Sequence, residues 1–364
     1  MNNHTPRLRL ADLAADARAG LHGRHGTGLA DVHLNALHAI VGCRTGTFGG
    51  RLMQCSDCPH TLHVPRSCGH RSCPRCQQRA ASAWLERQHV RLLPVQYFMA
   101  TFTLPSRLRP LAAQQPAIVY DALFAAAAST LMTFGQNHRD READLGFASV
   151  LHTHSRRLNL HPHVHVVIPG RGDSGQHEAS SHDRVWRELP KKYLFHGRAL
   201  ASVFRARMID ALKAAGLTLP AGVQPRWIVH CKHVGNGLPA LKYLSRYLYR
   251  GVIREQDLVT YDADARTVTF RYREGKSGEY RRRTMDLVDF VWLLLQHVLP
   301  KGFRREREYR FLHHNAPRLR PRLQIVLRVV LPILAKVMPA PFHCPLCAAP
   351  MIVRASTPRF TCIT

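Results

Sequence analysis

A chain of 364 residues with 52 Lys and Arg against 24 Asp and Glu carries a formal charge of +28. Such an excess favours a polyanionic partner, nucleic acid before any other, and the length allows two or three domains around a buried core. The first ten residues lack the apolar stretch of a signal peptide, and the apolar runs at 287–298 and 323–338 are interrupted by His297 and by Arg328, Pro332 and Lys336. No membrane partner and an intracellular location are therefore expected.

Residues 1–50 read as a polar lead-in followed by a helix near 29–41. Two Cys-x-x-Cys pairs come next, Cys55 with Cys58 and Cys73 with Cys76, fourteen residues apart. Each pair forms a turn whose thiolates converge, and two such turns complete a tetrahedral, closed, structural zinc shell. Cys43, Cys68, His60, His63 and His70 are left over. They are either candidates for a second ion or ordinary small and polar residues.

A helical bridge over 80–93 leads to a strand at 95–104. There Tyr97, Met99, Thr101 and Thr103 alternate with Phe98, Ala100, Phe102 and Leu104. An Ala-rich helix over 117–134 and a strand over 147–152 precede Leu160-His161-Pro162-His163-Val164-His165-Val166-Val167-Ile168. That β-branched run, stopped by Pro169-Gly170, predicts a strand with His161, His163 and His165 on one face. Imidazoles about 7 Å apart along the backbone can share an ion. Pro162 has no donor for a ladder, so the strand is expected to begin there or to lie on an edge. Residues 170–183 read as a surface loop beside the site.

Further on, 199–215 reads as a helix, 226–233 as a strand, 258–261 and 267–272 as a hairpin, and 285–298 as a helix. Between them, the stretch 239–251 starts with a proline suited to a first turn and ends at Gly251. In it, Leu241, Leu244 and Leu248 share one side of a helix. Tyr243 and Tyr247, with Arg246 and Arg250, fall on the side expected to face outward. No nucleotide loop precedes Gly275-Lys276-Ser277, because Phe270 stands where the leading glycine would be. No acidic cluster of a carboxylate-dependent nuclease stands out. Beyond 300 the chain is a basic tail with Cys344, Cys347 and Cys362, half a zinc ribbon for which His343 is a further candidate ligand. The expected division is 1–94 helical and zinc-binding, 95–300 an α+β domain, and 301–364 the tail.

His163-Val164-His165 with a downstream Tyr-x-x-x-Tyr helix resembles the single-strand endonucleases named for a His-hydrophobe-His motif. The run from Leu151 to His165, the helix Ala240 to Tyr247, and Ser67-Cys68-Gly69-His70-Arg71-Ser72-Cys73-Pro74-Arg75-Cys76 narrow the resemblance further. Over most of 40–315 the chain resembles the two-tyrosine rolling-circle transposases of the insertion-sequence-ninety-one family. This likeness implies an antiparallel sheet with flanking helices behind a small zinc-ribbon domain. It implies Mg²⁺ or Mn²⁺ on His163 and His165, Tyr243 and Tyr247 as nucleophiles, and Zn²⁺ in the N-terminal domain, while Arg246 and Arg250, beside the phenols on the helix, are expected near the phosphate. The implied partner is single-stranded DNA at element ends and target, met in the bacterial cytoplasm at the nucleoid. A third ligand is left open among His152, His154, His161, His233 and Glu178. The other readings are a plasmid replication or mobilisation relaxase and a zinc-ribbon binder without an active site.

Overall fold

The computed structural model describes residues 8–137, 144–173, 186–188, 194–248, 252–275, 277–313, 315–316, 319–329 and 341–357. The chain opens with two helices, α1 (Leu10–His25) and α2 (Asp31–Val41). α1 replaces the expected lead-in. Leu10, Leu13, Ala14, Ala17 and Leu21 are buried along it at helical spacing, while its other faces are polar enough to hide that pattern. A hairpin of β1 (Gly50–Cys55) and β2 (Thr61–Pro65) follows, then the bridging helix α3 (Gln77–His89).

The largest sheet is antiparallel throughout and runs β12 (Glu306–Tyr309), β4 (Phe147–His154), β5 (Leu160–Pro169), β3 (Tyr97–Thr103), β8 (Val229–His233). Alternation along each strand divides its side chains between two layers. Phe98, Ala100, Phe102, Leu151, Val164, Val166 and Ile168 form one face. They share a core with α4 (Arg109–Gln114), α5 (Pro116–Gln136) and α6 (Gly197–Ala214). α5 is long and apolar enough to cross a membrane by length and composition, but more than half of its most apolar stretch is buried. Its alanines let it lie close on the strands, so its apolarity serves the core. The other face receives α3 and α7 (Leu238–Leu248). Trp84, Tyr97, Val150, Val167, Ala240, Leu241 and Leu244 make a smaller cluster there.

After a two-stranded pair, β6 (Arg171–Asp173) with β7 (Trp186–Glu188), the next sheet is β9 (Leu258–Asp262), β10 (Thr267–Arg273) and β11 (Tyr280–Asp286). The last of these extends the expected hairpin. It ends where Asp286 accepts hydrogen bonds from the backbone of Val288 and Asp289. That cap starts α8 (Leu287–Leu295) two residues later than expected. Val268 and Phe270 of this sheet, Phe290 and Val291 of α8, and α1 and α2 share a second core. Residues expected to form a separate tail enter sheets made by earlier parts of the chain. β12 pairs with β4, and β13 (Met351–Ser356) pairs with β1, with α9 (Leu319–Val326) between them.

His297 ties the second core to the central sheet. It is 1% exposed, and its Nε2 bonds the Leu158 carbonyl at 2.7 Å, in the turn joining β4 to β5. Burial holds its pKa at about 3. The folded state thus resists a proton that the unfolded chain takes up near pH 6.5, and stability is lost as the pH falls below that value. The urea midpoint should therefore drop between pH 7 and pH 5. The drop should be smaller in His297→Gln, measured by fluorescence-detected unfolding at both pH values.

A candidate metal centre beside a helical tyrosine

Opposite residues of antiparallel strands share a face. His152 of β4 stands opposite His163 of β5, and Val150 opposite His165. Three imidazoles therefore gather on the face turned away from α5 and α6. Their ring centroids are 4.4 Å (His152 to His165), 4.9 Å (His163 to His165) and 5.1 Å (His152 to His163) apart. One nitrogen from each lies within 4.8 Å of the others, near enough for a common ion.

The alignment depends on Pro162. β5 is an interior strand, neither beginning at the proline nor lying on an edge as expected. The ladder instead shifts between His152 and His154, so that His161 and Pro162 together face Thr153. A bulge accommodates a residue without an N–H, and the Pro162 carbonyl still accepts from Leu104 at 3.0 Å.

Hydrogen bonds set which nitrogens are left for a ligand. His163 Nδ1 lies 2.7 Å from the His161 carbonyl, so it carries the proton and leaves the Nε2 lone pair available. His165 Nδ1 bonds the Thr101 hydroxyl at 2.9 Å, and its buried Nε2 has no hydrogen-bond partner among the described residues. Burial lowers the pKa of His163 to about 4 and of His165 to about 3, and carries His152 well below its usual value. All three are neutral at pH 7, the form that binds metal. Of the other candidates, His161 accepts from Arg109 at 2.8 Å. His154 bonds the Ser155 carbonyl and packs on His297, and His233 packs beside Phe98 on the opposite face. Glu178 lies outside the described residues.

α7 approaches this face through a tight turn. Tyr97 N–H donates to Gly235, and Val234 N–H returns to Tyr97. Gly237 follows with φ +81°, where an added Cβ would stand 2.7 Å from the Tyr97 ring, so only glycine fits. The buried arc of α7 runs through Ala240, Leu241 and Leu244. Tyr243 sits on the flank of that arc, half-buried, not on the outward face that helical periodicity suggested. Its ring is 5.5 Å from His165 and 6.2 Å from His152. Tyr247 and Arg246 belong to the same helix, with side chains outside the described residues, and Arg250 lies outside them altogether.

A cleft of about 690 Å³ opens from His152, His163 and Tyr243 toward β10 and β11. Arg156, Arg254, Arg271 and Arg273 line it, with Asp257 the one carboxylate among the described lining residues. Arg254 and Arg271 both bond Asp257, at 2.8 Å and 3.1 Å, and the Arg271 guanidinium lies 5.1 Å over the Tyr280 ring. Apart from Arg156, in the β4–β5 turn, these groups come from β10, β11 and the segment leading into β9, which sequence reading did not connect with the histidines. The one legible signal was the interleaving of Arg and Tyr over 271–283.

The cysteines require a correction. Cys55, Cys58, Cys73 and Cys76 do not form one shell. Among the described residues there are two quartets, Cys43 with Cys68, Cys73 and Cys76, and Cys55 with Cys58, Cys344 and Cys347. Cys55 and Cys58 sit at the tip of the β1–β2 hairpin, whereas Cys43 and Cys68 flank its base. A six-residue strand keeps tip and base about 20 Å apart. Sulfur spacings of 3.5 and 3.6 Å in the first quartet suit a tetrahedral thiolate shell. His70 accepts from the Ser72 backbone, and His343 is engaged with the Ala348 carbonyl. Cys362 lies outside the described residues.

Residues 146–320 match a family model described as "Putative transposase", and residues 17–104 one described as "Transposase zinc-binding domain". A putative transposase, y4qJ, of Sinorhizobium fredii (strain NBRC 101917 / NGR234) is 35% identical, across 79% of this chain and 76% of its own. The transposase for insertion sequence element IS801 of Pseudomonas savastanoi pv. phaseolicola is 29% identical, across 98% and 92%. Among solved structures, TrwC complexed with a 27-mer DNA comprising the recognition hairpin and the cleavage site is 22% identical. Its TM-score is 0.27, and the match covers 35% of this chain and 48% of that one.

The Thr101 hydroxyl holds His165 in one orientation, and loss of such a support weakens metal affinity about 10- to 100-fold. Thr101→Val keeps the strand and removes the contact. Calorimetric titration with Mn²⁺ should register weaker binding in that range, with zinc content unchanged.

Proposed function

Because this chain belongs to the insertion-sequence-ninety-one family of transposases, we propose that it cuts and rejoins single-stranded DNA through a phosphotyrosine made on Tyr243. The single observation that carries this reading is the Tyr243 ring 5.5 Å from His165 at the edge of the histidine cluster. A divalent ion on His152, His163 and His165 would polarise the scissile phosphate and offset its charge.

The chain's own groups account for the rest. A phenol with a pKa near 10 attacks poorly in water, so the fixed helix and the neighbouring cations must aim it and stabilise the charge that develops. The phenolic oxygen bonds to phosphorus, the bond from phosphorus to the 3′ oxygen breaks, and that oxygen takes a proton to leave as a 3′-hydroxyl. The phenol gives up its proton, and the 5′ end stays esterified to the protein. Since the ester retains the energy of the broken diester, a second hydroxyl can reverse the step on another strand without a nucleotide cofactor. Tyr247, one turn along α7, is proposed as the second nucleophile, with Arg246 and Arg250 toward the phosphates. The arginine-lined cleft supports a path for the strand, with Tyr272 and Tyr280 as stacking surfaces.

Three neutral imidazoles favour Mn²⁺ over Mg²⁺, which prefers oxygen ligands. Purified protein with Mn²⁺ and single-stranded terminal DNA should yield a covalent adduct resistant to denaturing gel electrophoresis, with less adduct in Mg²⁺. Tyr243→Phe with Tyr247→Phe should abolish it, and an undiminished adduct would refute the assignment. His163→Ala should abolish cleavage while zinc content stays constant. Tyr280→Ala should weaken single-strand binding by about 1–3 kcal/mol, the worth of one stacked base. A gel shift measures that loss.

A further inference from the structure

We infer that Cys55, Cys58, Cys344 and Cys347 hold a second zinc ion that clasps the two ends of the chain together. Neither segment matched to a known family, 17–104 or 146–320, reaches Cys344 or Cys347. The four sulfurs nevertheless converge. Cys55 to Cys347 is 3.3 Å, while Cys58 lies 3.7 Å from both Cys344 and Cys347. A tetrahedron with zinc–sulfur bonds of about 2.3 Å has edges of about 3.8 Å. All four cysteines are free of disulfides.

The backbone prepares the same shell from both sides. Cys55 N–H donates to His60 at 2.9 Å, and Cys344 N–H to Ala349 at 2.8 Å, closing two tight turns of the kind that present paired thiolates. Ser56 N–H crosses to the Pro350 carbonyl at 3.0 Å, locking the turns against each other. β13 then runs along β1 from Cys55 opposite Met351 to Arg51 opposite Ser356. Without that strand the N-terminal hairpin would have two strands, which is marginal in water.

The apolar core of this unit is Met53, Cys55, Cys344, Ala349 and Met351. Such a core is too small to fold a sheet alone, and units of this size are held by metal. An all-thiolate tetrahedral set selects zinc among the common divalent ions. The catalytic sheet is thus inserted between two halves of one zinc-bound unit, and residues 341–357 are part of the N-terminal domain in space.

Elemental analysis of the purified full chain should find two zinc ions per molecule. Cys344→Ser with Cys347→Ser should leave one, held by Cys43, Cys68, Cys73 and Cys76. If that variant fails to fold, alkylation of the native wild-type chain read by mass spectrometry still decides. Cys344 and Cys347 should be shielded together with Cys55 and Cys58, and all four should become reactive when a chelator removes the second equivalent. One zinc per wild-type chain, or ready alkylation of Cys344 and Cys347 in the zinc-replete protein, would overturn the inference. Neither readout depends on DNA cleavage.

Discussion

Everything in the candidate site depends on the pairing of β4 with β5 across the bulge at Pro162. That ladder puts His152 opposite His163 and one row from His165, and it does so with a shift between His152 and His154. A slip of one residue would send His163 and His165 into the apolar layer under α5 and Val164 and Val166 out toward α7. Register is therefore secured by both faces. Val164 and Val166 are fully buried on one side, while on the other His165 is buried, His163 is half-buried, and both are neutral.

Electrostatics then take a particular form. A chain of charge +28 surrounds its histidine cluster with arginines yet keeps the cluster itself uncharged, because burial costs imidazolium more than imidazole. Neutral nitrogens can accept a cation that protonated ones would repel. The same arrangement gives the cleft two kinds of ground. The floor can hold a divalent ion, and the walls, Arg156, Arg254, Arg271 and Arg273, suit a phosphate backbone. Asp257 orients two of those arginines and keeps their guanidiniums from folding away.

Around this centre the scaffold is interlocked in sequence. α1 and α2 share a core with β10 and α8, so the segment matched as zinc-binding and the segment carrying the cleft's arginines support each other. Cys43 and Cys73 lie in that core, which ties one thiolate quartet to the sheet that lines the cleft. His297 joins the same core to the turn after β4.

Much of this was legible in the residue order. Strand alternation in β3 and β5, the periodicity of α5, α6 and α7, and the His-x-His and Tyr-x-x-x-Tyr spacings are local properties, expressed within one element by fixed backbone geometry. They point to His163, His165 and Tyr243 without any tertiary information, and the thiol pairs point to metal. Helical periodicity set Tyr243 relative to Leu241 and Leu244, but the roll of α7 on the sheet depends on Gly237 meeting Tyr97, more than a hundred residues earlier. His152 could be one candidate among several until a bulge chose it. The partners of Cys55 and Cys58 wait near the other end of the chain, because a ligand shell is closed by distance in space and short-range spacing carries no record of it. Residue order thus determined which chemistries the chain holds, and only the tertiary pairing of strands and chain ends decided which copies of each group meet.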